Sequence, residues 1–407
     1  MDINTAKALV VRAGMELVDS GLIARTWGNV SARVDNNHFV ITPSGKPYES
    51  LTPDDIVLVT IDDLSYDSEI KPSSEKGVHA EAYKLRPDCN FVIHTHQLNA
   101  SAVSLFGFDI NVEDDAAKAI IGPAVPVAKY GLSGTGKLKT NVSIAIARSP
   151  ESKAVIMAHH GAVCMGEDYD EAFRVARELE RVCASYILGK FERFSGTTSD
   201  DFIEIAAYIA QVKAKARKAE KLFTAYESER NGDTFVMNTA DGTNEAIIDM
   251  TTGMASNAVE EFPASAELHR AVYACRKDVN SIIHTKSPGV VEYSKIGGTI
   301  RPLLDDFAQI VGVTMRTGEY DPDNAKRTAK RIVRKLKGRN AVMLKNNGAL
   351  CVAGSRYDAQ AVQMVLEKDL RAETAANLIG KAKRVGRLDA LLERTVYTLK
   401  YSKQAEK

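Results

Sequence analysis

Asn90-Phe91-Val92-Ile93-His94-Thr95-His96 and Asn280-Ser281-Ile282-Ile283-His284-Thr285-Lys286 are two versions of one segment. Each follows a helix-period stretch that opens on histidine, His79-Ala80-Glu81-Ala82-Tyr83 in one case and His269-Arg270-Ala271-Val272-Tyr273 in the other. The interval from that histidine to the next is the same in both. Further on, Ala154-Val155-Ile156-Met157-Ala158-His159-His160-Gly161-Ala162 is matched by Ala341-Val342-Met343-Leu344-Lys345-Asn346-Asn347-Gly348-Ala349. A Tyr-Asp pair follows each, Tyr169-Asp170 and Tyr357-Asp358, and starts a long helical pattern. Matched landmarks in one order mark a tandem duplication.

The runs Ile56 to Ile61, Phe91 to Ile93 and Val155 to Met157 are β-branched and bounded by polar or turn residues, as buried strands are. Helix-period stretches fill the intervals, from about Thr5 to Val18, Ser74 to Leu85 and Tyr169 to Ile187, and the second copy repeats the alternation. This predicts an α/β fold, helices packed on a mixed sheet, present twice. The expected division is a first domain over 1–199, an Ala- and Lys-rich helical connector over 200–232, and a second domain over 233–407 beginning at Asn231-Gly232-Asp233. Gly28-Asn29-Val30-Ser31 shows no counterpart in the second copy.

The whole-chain arithmetic agrees. A chain of 407 residues with 53 basic and 53 acidic side chains, net charge +0 and 44% apolar residues is an ordinary globular protein, and burial scaling at this length favours two domains. A balanced charge gives no field for nucleic acid or an acidic membrane, so neither is expected as a partner. No apolar run reaches the roughly 18 residues of a membrane span, and Met1-Asp2-Ile3-Asn4 lacks a secretion-signal profile, so a cytoplasmic location is expected. The five cysteines are scattered, which argues against a disulfide framework or a cysteine metal cluster.

Of eight histidines, His79, His94 and His96 surround one strand and His159 and His160 end another. Alternate strand residues share a face, so His94 and His96 present two imidazoles together. A third from the His159-His160-Gly161 turn would complete a set of three neutral nitrogen donors, leaving open positions on a divalent metal, as catalytic sites do. Zinc is the first expectation, with manganese, cobalt and iron compatible. In the second copy the same positions read His284, Lys286 and Asn347, a set that ligates such metals poorly.

Glu75 stands one turn before His79, where a carboxylate serves as a further ligand or a general base, or complements the helix dipole. Ungapped pairing puts Ser265 opposite it. Ser73 and Ser74 begin that helix. With Gly28-Asn29-Val30-Ser31 and Thr42-Pro43-Ser44-Gly45-Lys46 they bring small polar residues, glycine and one cation to what reads as an anion site.

Trp27-Gly28-Asn29-Val30-Ser31, Thr42-Pro43-Ser44-Gly45, Pro72-Ser73-Ser74-Glu75, His94-Thr95-His96 and His159-His160-Gly161 resemble, in order and spacing, the class II aldolase/adducin family. The match covers about residues 5 to 190, with a weaker likeness over about 235 to 380. The resemblance implies a three-layer αβα fold around a central mixed, mainly antiparallel sheet, present twice, the second copy degenerate. It implies His94, His96 and His160 as metal ligands and Glu75 as acid/base. Asn29, Ser44, Gly45, Ser73 and Ser74 would hold a substrate phosphate, with His159 in a supporting role. The implied reaction is retro-aldol cleavage of a phosphorylated ketose or related sugar phosphate through a metal-stabilised enediolate. Epimerisation or dehydration on the same metal site is the alternative enzyme reading, and a non-catalytic adducin-like scaffold the third. Where the family's aldolases carry a tyrosine that protonates the leaving group, this chain has Val112-Glu113-Asp114-Asp115-Ala116. Asp115 is the candidate replacement, against the reading that the acids simply start a helix. The family's four-subunit ring further implies a homo-oligomer, either two tandem chains forming a pseudo-tetrameric ring or a tetramer.

Overall fold

The computed structural model describes residues 1–23, 27–213, 222–239, 242, 244–256, 262–380 and 382–401. It divides into two compact units: Met1–Thr198 with Leu303–Asp305 and Ala375–Lys407, and Ser199–Pro302 with Asp306–Thr374.

The first unit is built on a seven-stranded sheet. Its strands run in the order Val57–Thr60, His38–Ile41, Asn29–Arg33, Phe91–Thr95, Ala162–Gly166, Ala154–Met157 and Val127–Ala128. Every neighbouring pair is antiparallel except the last, where Val127 faces Ile156 in parallel register. Side-chain alternation along Phe91–Thr95 assigns the two faces. Val92 joins Val155, Met157, Val163 and Met165 in a core that also holds Val78, Ala82 and Tyr83 of helix Lys76–Leu85 and Leu138, Val142 and Ile146 of helix Gly136–Arg148. Phe91 points the other way, its ring 5.5 Å from that of Tyr169, which opens helix Tyr169–Ser195. Two helical layers therefore sandwich the sheet, and both strand faces are apolar because neither meets water.

The second unit repeats this order. Its sheet reads Glu245–Asp249, Thr234–Thr239, Tyr226–Asn231, Ser281–Thr285, Ala349–Ala353, Ala341–Leu344 and Met315–Gly318, with Thr299–Ile300 added at the edge. Met315–Gly318 again pairs in parallel with Ala341–Leu344. The likeness reaches side chains. Ser31 bonds His79 Nδ1 and the Tyr83 hydroxyl at 2.6 and 2.7 Å, and Ser228 bonds His269 Nδ1 and the Tyr273 hydroxyl at 2.7 and 2.8 Å. Non-glycine residues with left-handed φ fall at matching turns, His159 at 63° and Asn346 at 60°.

Three boundary expectations are corrected. Tyr226–Asn231 pairs with Ser281–Thr285 as Asn29–Arg33 pairs with Phe91–Thr95, so the second copy does have a counterpart to Asn29-Val30-Ser31. Sequence reading missed it because only Ser228 keeps the chemistry, while Tyr226 stands where Asn29 would. Asn231-Gly232-Asp233 is consequently no domain boundary. Asn231 faces Thr234 across a hairpin whose two-residue loop is Gly232-Asp233, with Gly232 at the positive φ of 59° that such tight loops demand. Nor is 200–232 a connector: helix Phe202–Lys213 packs on helix Pro288–Ile296 inside the second unit, and residues 214–221 lie outside the described residues. At the other end, the chain from Ala375 belongs to the first unit, not the second.

Candidate metal centre

Phe91–Thr95 ends on His94 and Thr95, and the chain then leaves the sheet, with His96 N bonded to Leu22 O. On the neighbouring strand pair, the turn between Ala154–Met157 and Ala162–Gly166 carries His160 and Gly161. Thr95 lies opposite Ala162 in the ladder, so the two histidine-bearing ends are held level by main-chain pairing. The left-handed residue of this turn is His159, and Gly161 is required because a Cβ there would lie 2.1 Å from Thr95 O.

Three Nε2 atoms converge. His94 Nε2 is 3.0 Å from His96 Nε2 and 3.2 Å from His160 Nε2, and the ring centroids of the three pairs are 4.7, 4.8 and 5.0 Å apart. Among the described residues this is the one histidine, cysteine or carboxylate group arranged to hold a metal ion. Ligands about 2.1 Å from a tetrahedral zinc are separated by about this much. The outward nitrogens identify the tautomers: His94 Nδ1 donates to Ala162 O at 2.9 Å, and His160 Nδ1 donates to the Asp305 carboxylate. With hydrogen on Nδ1, each ring turns a lone pair inward. Lone pairs aimed at each other across 3.2 Å repel unless a cation or proton lies between them, so the donor set fits a metal.

Glu75 lies against this set, Oε2 3.2 Å from His94 Nε2 and Oε1 3.2 Å from His160 Nε2. The helix expected from Ser74 begins at Lys76, with Glu75 as its N-cap. Ser73 is what stops it earlier: its Oγ accepts from Glu75 N at 3.2 Å and its carbonyl from Lys76 N. The Glu75 carboxylate is thereby freed from capping. It accepts from Ser133 Oγ at 3.0 Å and from Asn29 Nδ2 at 3.2 Å. Burial would raise its pKa, but the His94, His160 and His96 rings overcome burial and hold it well below the usual carboxylate range. For His160 burial works to lower the pKa, and Asp305 and Glu75 reverse that and raise it well above an ordinary imidazole.

His79 stays out of the cluster. Burial pushes its pKa down to about 3, so it is neutral, and Nε2 donates to Asn29 Oδ1 while Nδ1 accepts from Ser31. A relay from Tyr83 through Ser31, His79 and Asn29 thus orients the amide that holds Glu75. His159 also stays out: its Nδ1 donates to Leu303 O at 2.8 Å.

The expected anion residues separate into two groups. Ser44, Gly45, Ser73 and Ser74 lie on adjoining loops, joined by Ser44 N to Lys71 O at 2.8 Å and Ser73 N to Thr42 O at 3.0 Å. Asn29 instead spends its side chain on Glu75 and His79, and Lys46 pairs with Asp55 at 2.5 Å. Asp115 does not join the site. It opens helix Asp115–Ile121 with a side chain 93% exposed and paired to Lys118, because an acid in a helix's first turn is favoured there by the dipole alone. Sequence reasoning missed Ser133 and Asp305, which no local pattern marks. In the second unit His284 bonds Asn347 O, Lys286 bonds Phe223 O and Asn347 Oδ1 accepts from Phe223 N. All three positions there satisfy one another or the main chain.

A sequence model of the family described as Class II Aldolase and Adducin N-terminal domain matches the chain over residues 8–187 and again over 226–374. The chain is similar to the L-fuculose phosphate aldolase of Escherichia coli (strain K12), 32% identical over 187 residues, which is 46% of this chain and 85% of that one. It is 36% identical over 179 residues to a 5-methylthioribulose-1-phosphate/5-deoxyribulose-1-phosphate aldolase of Escherichia coli, 44% of this chain and 81% of the relative. Among solved structures, an L-fuculose 1-phosphate aldolase is similar at 29% identity and TM-score 0.43, over 46% of this chain and 86% of its own. With two matched segments spanning most of its length, the first of them carrying the histidine cluster, the chain belongs to the class II aldolase and adducin family.

Proposed function

We propose that this protein is an aldolase-type lyase that uses a divalent metal to cleave a phosphorylated ketose or related sugar phosphate. The observation that carries the reading is the convergence of three buried imidazoles, His94 Nε2 lying 3.0 Å from His96 Nε2 and 3.2 Å from His160 Nε2, with a carboxylate against them. His94, His96 and His160 would hold the ion, zinc being favoured by an all-imidazole donor set. When bound, it supplies Lewis-acid stabilisation of the negative charge that carbon–carbon cleavage leaves on the substrate's oxygens.

The chain's own residues do the rest. Glu75 would move the proton, its carboxylate free of capping duty and set 3.2 Å from the His94 and His160 ring nitrogens. Asn29 and Ser133 aim it. The loops bearing Ser44, Gly45, Ser73 and Ser74 are joined through the Ser44 and Ser73 amides, and would take the substrate phosphate on their hydroxyls and the Gly45 amide, which positions the reacting carbons. The second family-matched segment lacks the ligand set and would serve assembly, two chains contributing four family folds to one homo-oligomer.

The test is incubation of zinc-loaded protein with a panel of ketose 1-phosphates, among them L-fuculose and 5-deoxyribulose 1-phosphates, with enzymatic detection of dihydroxyacetone phosphate. Release of dihydroxyacetone phosphate that stops on chelation supports the lyase. Conversion without it assigns epimerisation or dehydration, and a protein that takes up no metal is a scaffold.

A further inference from the structure

We propose that Asp305 is a positioning residue for the metal centre, holding His160 in the tautomer and orientation that ligate the ion and strengthening its donation. The inference rests on the metal-site reading above and adds a residue that the histidine motifs do not contain.

Asp305 is fully buried, and its carboxylate accepts from His160 Nδ1. The opposite nitrogen of that ring, Nε2, is the one 3.2 Å from His94 Nε2 and from Glu75. A proton fixed on Nδ1 leaves the Nε2 lone pair for a metal, and an anionic acceptor behind the ring raises its basicity. His94 has only the peptide carbonyl of Ala162 behind it. A charged acceptor makes the stronger hydrogen bond, so His160 is the better oriented and more basic donor of the two.

The carboxylate does not arrive by side-chain reach alone. Asp305 N donates to His159 O at 3.0 Å, and His159 Nδ1 donates to Leu303 O at 2.8 Å. These two bonds fasten the strip Leu303–Asp305 along the His159-His160 turn, and neither involves the Asp305 carboxylate. Its position is therefore set by the main chain before any metal binds. Within His159-His160, one histidine anchors the strip and the next receives its charge, which accounts for both rings of the pair.

The origin of Asp305 adds a consequence. It lies in the second family-matched segment, residues 226–374, yet packs as part of the first unit. The segment that has lost the ligand triad thus supplies a carboxylate to the centre that keeps it. With Glu75 it brings two buried carboxylates to the three imidazoles.

The experiment measures zinc affinity of the full chain by competition with a chromophoric chelator, for wild type, Asp305→Asn and the surface control Asp115→Asn. The expectation is one tight site in wild type, unchanged by Asp115→Asn, and weakened about 10- to 100-fold by Asp305→Asn. The cobalt-loaded Asp305→Asn protein should also show an altered visible spectrum, which a purely structural contact would not produce. Unchanged affinity and an unchanged cobalt spectrum in a folded variant overturn the proposal while leaving the metal site intact. Absence of zinc binding by wild type overturns the metal-site reading, and this one with it. Should Asp305→Asn not fold, the nitrogen NMR spectrum of histidine in zinc-loaded wild type decides. His160 protonated at Nδ1 supports the assignment, and His160 protonated at Nε2 defeats it.

Discussion

Gly161 lies against the carbonyl of Thr95, so close that a Cβ at this position would come within 2.1 Å of that oxygen. The contact joins the strand end that carries His94 and His96 to the turn that carries His160, and the missing side chain is what lets the two meet. Gly161→Ala should therefore separate the ligands as well as destabilise the unit, by about 2 kcal/mol or more. Urea unfolding and zinc content of the purified variant check both parts; a variant with full zinc content and wild-type stability would show that the gap closes easily.

Removing ligands tests the centre directly. Alanine at His94, His96 or His160 should reduce bound zinc from one per chain to substoichiometric levels and lower turnover at least about 10³-fold. Dialysis of wild type against a chelator should abolish turnover, and zinc should restore it. Metal analysis by plasma mass spectrometry, run beside the aldolase assay, reads both effects.

Glu75→Gln keeps the size of the side chain and removes its charge. We expect kcat to fall about 10²- to 10⁴-fold, the range for losing a positioned general base. Ser133→Ala, which removes a single hydrogen bond to the same carboxylate, should cost about tenfold or less. Equal losses in the two variants would contradict the role given to Glu75.

The pH dependence of stability follows from buried neutral rings. Burial, aided by His284, pushes the His269 pKa down to about 3, whereas in the unfolded chain it returns to about 6.5. Below that value the unfolded state binds a proton that the folded state refuses. The stability contributed by keeping the ring neutral is complete above about pH 6.5 and is lost as pH falls toward 3. Between pH 6.5 and 5 the loss is about 2 kcal/mol. His269→Gln should be less stable at pH 7 but lose about that much less on acidification, as read from urea unfolding at pH 7, 6 and 5. An identical pH slope in the variant rules the account out.

Asp115 provides the opposite expectation. Its side chain is exposed and engaged with Lys118, and surface pairs of this kind contribute little. Asp115→Asn should leave turnover within about twofold and stability within about 0.5 kcal/mol of wild type. A large loss of turnover would restore this residue to the chemistry.

Much of the arrangement was readable in advance because it rests on local periodicity. Strand ends at His94 and His160, the duplication, and the weak donor set at His284, Lys286 and Asn347 are consequences of spacing and residue type. The start of the second copy escapes a motif search because its strand Tyr226–Asn231 keeps Ser228 and Arg230 but has Tyr226 in the place of Asn29, and because Asn231-Gly232 signals a turn without saying whether it joins strands or domains. The Gly28-Asn29 pair suits a phosphate by residue type alone, and only the structure shows that the Asn29 amide also bonds Glu75 and His79.

The chain order alone determined that two copies of one fold exist, that one of them carries an imidazole set, and which acid stands beside it, since periodicity and residue chemistry are properties of neighbours in sequence. Tertiary structure decided that Ser133 and Asp305 reach Glu75 and His160, that Asp115 does not join them, and that residues 375–401 return to the first unit. Those outcomes depend on which surfaces bury one another and which backbone groups find partners across long separations. Such pairings are settled by the whole fold's packing and hydrogen bonding, and no short stretch of sequence encodes them.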